Sequence, residues 1–302
     1  MASPALPLVG LRARGAKVRS YVALTKPRII ELLLVTTLPT MFVARGGVPS
    51  VTLMVATLVG GALAAGGANA INMVVDRDID KVMHRTRKRP LVTGEMTPRA
   101  ALIFALALEV AAFAELWGLV NLLSAVLAVS ATLFYVFVYT LWLKRTSSQN
   151  IVIGGAAGAV PVLVGWAAVT DSLGWAPVVL FAIIFIWTPP HFWALAIKYR
   201  EDYEAAKVPM MPVVASFESV ARQIILYTVV LVATSVLFSV VGHMGAVYLA
   251  AALVLGAVFL ASAVQLRRQQ TPKAAMRLFQ YSISYLTLLF LAMAGDVLIR
   301  HH

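Results

Sequence analysis

The sequence predicts an all-α, polytopic membrane protein built as a bundle of nine transmembrane helices. Three observations carry that expectation. Hydrophobic residues make up 61% of the 302 residues and charged residues only 13%, whereas a soluble domain carries roughly a quarter charged residues. The apolar residues fall in blocks of about 17–25, the length of helix that crosses a bilayer, while a soluble helix needs only one apolar stripe. The basic residues concentrate in every second gap between those blocks, which puts them on one side of the membrane.

In chain order, residues 1–28 hold six Lys and Arg and no acid. They lack the apolar core and cleavage site of a signal peptide. A mitochondrial transit peptide fits the composition, but a basic cytoplasmic tail agrees with the charge pattern described below. Residues 29–302 read as one transmembrane domain. The first span, 29–44, is short and can extend back to Lys26. The second, 51–75, carries Gly60-Gly61 and Gly66-Gly67, which suit close helix packing. Apolar runs at 100–117 and 121–143 give the third and fourth. The fifth, 150–170, contains Gly154, Gly155 and Gly158, again a packing pattern. With no strand–loop–helix context, these glycines do not form a phosphate loop. The sixth, 177–197, contains Pro189-Pro190, which should kink it. Runs at 220–241, 246–266 and 279–299 complete the set. No internal repeat or low-complexity segment interrupts them.

The net charge is +12, which in a soluble protein would suggest nucleic acid. Its distribution assigns it to topology instead. With the N-terminus inside, the segments on the cytoplasmic side hold 23 of the 25 Lys and Arg, leaving only Arg45 and Arg300 outside. This positive-inside bias places the C-terminus outside and implies attraction to anionic membrane lipid. It leaves no role for nucleic acid. The chain has no cysteine, so disulfides and thiolate metal sites are excluded.

Six of the 13 acids lie in two cytoplasmic clusters, which topology does not require. In the first, Asn72, Asp76 and Asp80 are spaced i, i+4, i+8 and so share one helix face. Asp78 points elsewhere. Two carboxylates on one face repel each other unless a cation lies between them. Hard oxygen ligands suit Mg²⁺, which takes part of its shell from substrate phosphates. Arg85, Arg87, Lys88 and Arg89 follow closely, as diphosphate recognition requires. A solvated, salt-bridged loop is the plain alternative. The ladder starts inside an apolar span, where polar groups are costly and usually functional, and that favours a site.

In the second cluster His191, Lys198 and Asp202 lie near one face if the helix continues past Pro190. Trp187, Phe192, Trp193, Tyr199 and Tyr203 surround them as an interfacial belt or a binding wall. His191 is either a hydrogen-bonded packing residue or a ligand. Lys144-Arg145 is a third basic point.

Asn72-x-x-x-Asp76-x-x-x-Asp80 resembles the first aspartate motif of the UbiA-type intramembrane prenyltransferases. Longer strings are similar to the heme-farnesylating branch of that family. They are D-R-D-I-D-K-V-M-H-R-T-R-K-R-P-L, Q-N-I-V-I-G-G-A-A-G-A-V-P, W-T-P-P-H-F-W-A-L-A and E-D-Y-E-A-A-K-V-P-M-M-P. The likeness runs from Thr25-Lys26-Pro27-Arg28 to the last span. It implies nine helices around a central cavity, with the active-site loops cytoplasmic, in a bacterial inner membrane. It also implies transfer of the farnesyl group of farnesyl diphosphate to the 2-vinyl group of heme b with water addition, giving heme O. Mg²⁺ is the implied cofactor, and heme A synthase or terminal oxidase assembly the implied partners.

Many relatives carry a second Asp-x-x-x-Asp motif. The matching positions here read Lys198, Asp202, Ala206, so a symmetric two-metal site is in doubt. The expected metal ligands are Asn72, Asp76, Asp80 and Asp202, with Asp76, Asp80, Lys198 and Asp202 catalytic. Arg85, Arg89, Lys144, Arg145 and Lys198 are expected on the diphosphate, and His191 or His84 on heme. Residues 81–98 or 203–215 could form a lid. A relative that prenylates a quinone precursor or chlorophyllide is the nearest rival. A transporter of an anionic lipid or porphyrin is a rival of another class, and an assembly factor with a dead site is a third.

Overall fold

The computed structural model describes residues 8–300, with side chains from Lys17 onward except Arg28, Ile29, Leu32 and Leu33. The first seven residues of the expected tail lie outside the described residues. The elements in order are α1 (Leu8–Thr25), α2 (Pro27–Arg45), α3 (Val51–Val75), α4 (Arg77–Val82), α5 (Pro90–Thr93) and α6 (Pro98–Leu119). Then α7 (Leu122–Leu133) runs into a π-helical stretch (Phe134–Leu143) and α8 (Lys144–Thr146). α9 (Asn150–Thr170), α10 (Trp175–Lys198), α11 (Arg200–Ala205), α12 (Met211–Val214), α13 (Phe217–Val241), α14 (Ala246–Gln269) and α15 (Pro272–Arg300) follow. No strand occurs among the described residues.

Eight of the described helices are long and apolar enough to cross a membrane, counting Leu122–Thr146 as one. The 19-residue α2 stands where the first of the nine expected spans lies. The helices overrun the apolar blocks at their ends. The last starts at Pro272 rather than near 279, because its first turns carry Lys273 and Arg277, which extend the helix without adding hydrophobicity.

Local chemistry sets the starts. Proline occupies the first turn of α2, α5 and α6, where its missing N–H costs nothing. Ser50, Thr97, Asn121 and Ser216 cap α3, α6, α7 and α13 through side-chain oxygens. Gly46 ends α2 at φ 65°, a left-handed conformation that glycine adopts freely. α10 is helical without a break through Pro189-Pro190; the Thr188 hydroxyl donates to the Ile184 carbonyl (2.8 Å) just before the pair.

Each span packs against its neighbour in the chain, and α15 returns to α2, closing a ring. Contacts of α2 with α9 and of α10 with α15 cross the middle. At the α2–α9 crossing a Cβ on Gly165 would meet the Thr37 carbonyl oxygen at 2.9 Å, so the backbones approach closely. The largest apolar core joins α9, α10, α13, α14 and α15 around Trp193, Phe238, Phe259 and Tyr285. Val110, Trp117, Phe137 and Trp142 point outward and exposed, as a lipid-facing surface requires.

The expected tail is largely helix α1, which packs on α3 and α5. Its buried Leu24 joins Ala70, Met73 and Leu91, and Tyr21 meets Phe104 edge-on at 4.8 Å. This packing delivers Lys26, in a left-handed turn (φ 53°) between α1 and α2, to the end of α3.

Candidate active site

The ladder survives the end of α3. Asp76 lies between α3 and α4, yet Asp76 N–H donates to Asn72 O (2.9 Å) and Asp80 N–H to Asp76 O (2.8 Å). The i, i+4, i+8 register therefore holds across the junction, and all three side chains are buried. Asn72 Nδ2 donates to Asp76 Oδ2 (2.8 Å) and to Thr140 Oγ1 (3.1 Å). Thr140 in turn donates to the Tyr135 carbonyl (2.8 Å), an i−5 partner within the π-helical stretch.

Cations converge on this face from three elements. Lys144 Nζ pairs with Asp76 Oδ2. Arg89, from the segment after α4, pairs with Asp80 Oδ2 at 2.6 Å. Lys26 Nζ donates to Asn72 Oδ1 at 2.9 Å. Burial pulls the Lys26 ammonium down to about 7, with further lowering by Arg89 and Lys144. Arg145 makes a two-pronged pair with Asp78, 2.8 Å on each side, and its Nη2 lies 3.8 Å from Asp76 Oδ1. That guanidinium holds the Asp78 carboxyl well below the usual carboxylate range. Asp78 thus faces away from the ladder, as its spacing predicts.

The residues present fit a hard divalent cation. Asp76 Oδ1 is buried and accepts no hydrogen bond. The ladder side chains carry carboxylate and amide oxygens, the donor type Mg²⁺ prefers, with the Asn72 oxygen turned to Lys26. Among the described residues no three acids or histidines converge into a ready-made metal cage. The rest of a cation's shell therefore falls to water or to phosphate oxygens.

His191, Lys198 and Asp202 of the second cluster do not share the one continuous helix face that their spacing predicts. The helix breaks at Tyr199 (φ −105°, ψ 26°), so Lys198 ends α10 while Asp202 belongs to α11. Lys198 is exposed, its ammonium 5.3 Å from the Tyr199 ring. Asp202 accepts from the backbone N–H groups of His84 (3.1 Å) and Arg85 (3.3 Å). It thereby ties α11 to the loop after α4. Arg85 completes the tie: its guanidinium donates to Tyr203 Oη (3.2 Å) and lies 5.6 Å from the Tyr199 and Tyr203 rings. Beneath it Ile79, Met83, Ala196, Tyr203, Val208 and Met210 form a small core. The two expected lid segments are thus packed on each other.

His191 is buried in α10. Its Nδ1 lies 2.7 Å from Ser282 Oγ, and its ring stacks between Trp187 (4.2 Å) and Phe279 (4.6 Å). These are the partners of the packing alternative, and they leave Nε2 as the nitrogen for any other role. The His84 side chain is exposed.

Sequence reasoning left Lys26 and Thr140 without a role. A signal exists for each. Lys26 is a cation next to a helix-starting proline, and Thr140 sits one turn before Lys144 in an otherwise apolar run.

Residues 33–293 match the model of the UbiA prenyltransferase family. The chain belongs to this family. It is an integral, multi-pass membrane protein. It is 54% identical over 300 residues to a protein of Paenarthrobacter aurescens named protoheme IX farnesyltransferase, covering 98% of this chain and 93% of that one. A Streptomyces avermitilis protein of the same name is 52% identical, covering 96% and 97%. Among solved structures, a digeranylgeranylglyceryl phosphate synthase superposes with a TM-score of 0.77 at 16% identity, over 94% of this chain and 99% of that one. A UbiA homologue of Archaeoglobus fulgidus, solved with GPP and Mg²⁺, gives a TM-score of 0.64 at 17% identity, over 91% and 99%. At these identities the likeness is one of fold.

Proposed function

We propose that the chain transfers the farnesyl group of farnesyl diphosphate to the 2-vinyl group of heme b, giving heme O and diphosphate. One observation carries the chemistry: a buried Asn72–Asp76–Asp80 ladder ringed by Lys26, Arg89 and Lys144 at the end of a membrane span. The acceptor rests on the relatives' shared name over nearly their whole length.

The reaction breaks the C1–O bond of the allylic diphosphate. The vinyl group forms a C–C bond to C1, and the cation left beside the porphyrin takes up water and loses a proton. Asn72, Asp76 and Asp80 would hold Mg²⁺, which supplies charge neutralisation on the diphosphate. Asp202, tied to the 84–85 backbone, supports the ladder by fixing the loop that carries Arg85 and Arg89. Those arginines, with Lys26, Lys144 and Arg145, stabilise negative charge as the leaving group departs, while Lys198, exposed against Tyr199, is left outside that set. The 15-carbon tail lies among the spans. The packed segments 81–98 and 203–215 keep bulk water from the allylic cation, which would otherwise give farnesol. His191, with Nδ1 committed to Ser282, is assigned to the heme through Nε2, and exposed His84 to a propionate at the mouth. The site faces the cytoplasm of a bacterial inner membrane, with residues 1–28 inside. Heme A synthase or terminal oxidase assembly takes the product.

Membranes containing the chain are given farnesyl diphosphate with either heme b or 4-hydroxybenzoate, and products are read by mass together with diphosphate release. Heme O with stoichiometric diphosphate is expected. Prenylated hydroxybenzoate without heme O moves the chain to the quinone branch, and no diphosphate from either pair removes the enzymatic reading.

A further inference from the structure

A cleft lies apart from the ladder, where the end of α10 and the start of α13 meet the turn between α14 and α15. It encloses about 200 Å³ and is lined by Ile197, Phe217, Val220 and Pro272 with two polar residues, Arg200 and Gln270. Arg268 in the last turn of α14 and Lys273 in the first turn of α15 flank the lining residues Gln270 and Pro272 in the chain. Arg200, Arg268 and Lys273 are exposed, and among the described residues none has an acidic partner. Their neighbours are accounted for: Glu218 pairs with Arg267 at 2.8 Å, and Arg277 donates to Gln269 at 2.5 Å. The fold therefore gathers apolar walls and uncompensated cations at a membrane–water boundary.

We propose that this cleft binds the headgroup phosphate of an anionic phospholipid from the cytoplasmic leaflet. Arg200 contacts the phosphate, and the Ile197–Phe217–Val220 wall takes the first carbons of an acyl chain. The apolar wall selects a lipid over free phosphate, and the cations select an anionic headgroup over a zwitterionic one. The position has a consequence for the site. Arg200 opens α11, the six-residue helix whose Asp202 holds the His84–Arg85 backbone. A lipid bound at Arg200 braces α11 and with it the loop that carries Arg85 and Arg89. The effect on turnover rests on the farnesyl-transfer reading, but the binding itself does not.

The test uses the full-length chain in nanodiscs of phosphatidylcholine with or without phosphatidylglycerol. Retained lipid is counted by native mass spectrometry, and farnesyl transfer is assayed in parallel. Wild type should retain phosphatidylglycerol selectively and turn over faster with it. Arg200→Gln should weaken that retention about fivefold, as loss of one cation at an anionic surface implies. It should also lose the stimulation while keeping the phosphatidylcholine rate. Arg200→Lys should recover most of the binding, which separates lost contact from misfolding. Arg99→Gln removes the same charge from the cytoplasmic start of α6, away from the cleft. If it weakens retention as much as Arg200→Gln, diffuse surface charge explains the binding and the cleft is refuted. Competition by millimolar inorganic phosphate would equally overturn a lipid site. Selective retention without stimulation would keep the site and sever its link to α11. Stimulation absent because no heme O forms at all is told apart by the retention count.

Discussion

At Asp76 a fully buried carboxylate meets side chains from two other parts of the chain: Lys144 and, more distantly, Arg145 after the π-helical stretch, and Asn72 from the turn below. A buried charge is tolerable only when paired, so these residues depend on one another. Asp76→Ala should lower farnesyl transfer at least ~100-fold and abolish its response to Mg²⁺, read as initial rate against metal concentration. Unchanged turnover and an unchanged metal dependence would remove Asp76 from the metal site. Lys26 gives a pH signature. In the folded, substrate-free protein its ammonium titrates at about 7, while in the unfolded chain it holds its proton to about 10.4. Between those values the unfolded state binds more protons, so stability should rise with pH across that window. Thermal melts at several pH values should show the rise, and Lys26→Met should flatten it. The ladder was readable because its three residues are local in sequence. Lys26 was not, because its partner Asn72 lies 46 residues away and only the packing of α1 on α3 brings them together.

Among the elements, the π-helical stretch Phe134–Leu143 sets how the fourth span meets the site. It carries Thr140 to Asn72 and hands over to Lys144. Such stretches are unfavourable in isolation and concentrate at functional sites. Tyr135 and Tyr139 stack within it at 5.4 Å, and a Cβ on Gly154 would overlap the Tyr139 ring. Gly154→Ala should therefore displace the stretch and raise KM for farnesyl diphosphate more than it lowers the melting temperature. At the opposite membrane face Asp296 of α15 accepts from the N–H groups of Gly245, Val247 and Tyr248, capping α14. Asp296→Ala should cost about 1–2 kcal/mol by removing that cap and leave KM unchanged, as denaturation and steady-state kinetics can check. Nothing periodic in the sequence marks either feature. A π-register and a cap supplied by another helix are both decided by tertiary contacts.

In the whole molecule, the closed ring from α2 round to α15 places the polar site at one end and lipid-facing side chains around the outside. The distribution of Lys and Arg predicts how that ring is oriented. The absence of cysteine makes the orientation directly measurable. Lys207→Cys, beyond α11, should react with a membrane-impermeant maleimide only in inverted vesicles. Ser172→Cys, between α9 and α10, should react only in intact cells. The reverse pattern would invert the topology and with it the cytoplasmic placement of the ladder.

By itself the sequence determined the all-α class, the approximate limits of the spans, and the Asn72–Asp76–Asp80 face. Each is a local property: a bilayer demands a continuous apolar helix, and a helix puts every fourth residue on one side. Only the tertiary structure decided what stands opposite the ladder. The cations nearest it proved to be Lys26, Arg89 and Lys144. Lys198 sits outside on Tyr199, and Asp202 holds a backbone. A single break at Tyr199 and the return of α1 onto α3 made that difference. Both depend on packing between segments far apart in the chain, which no spacing rule along one helix can register.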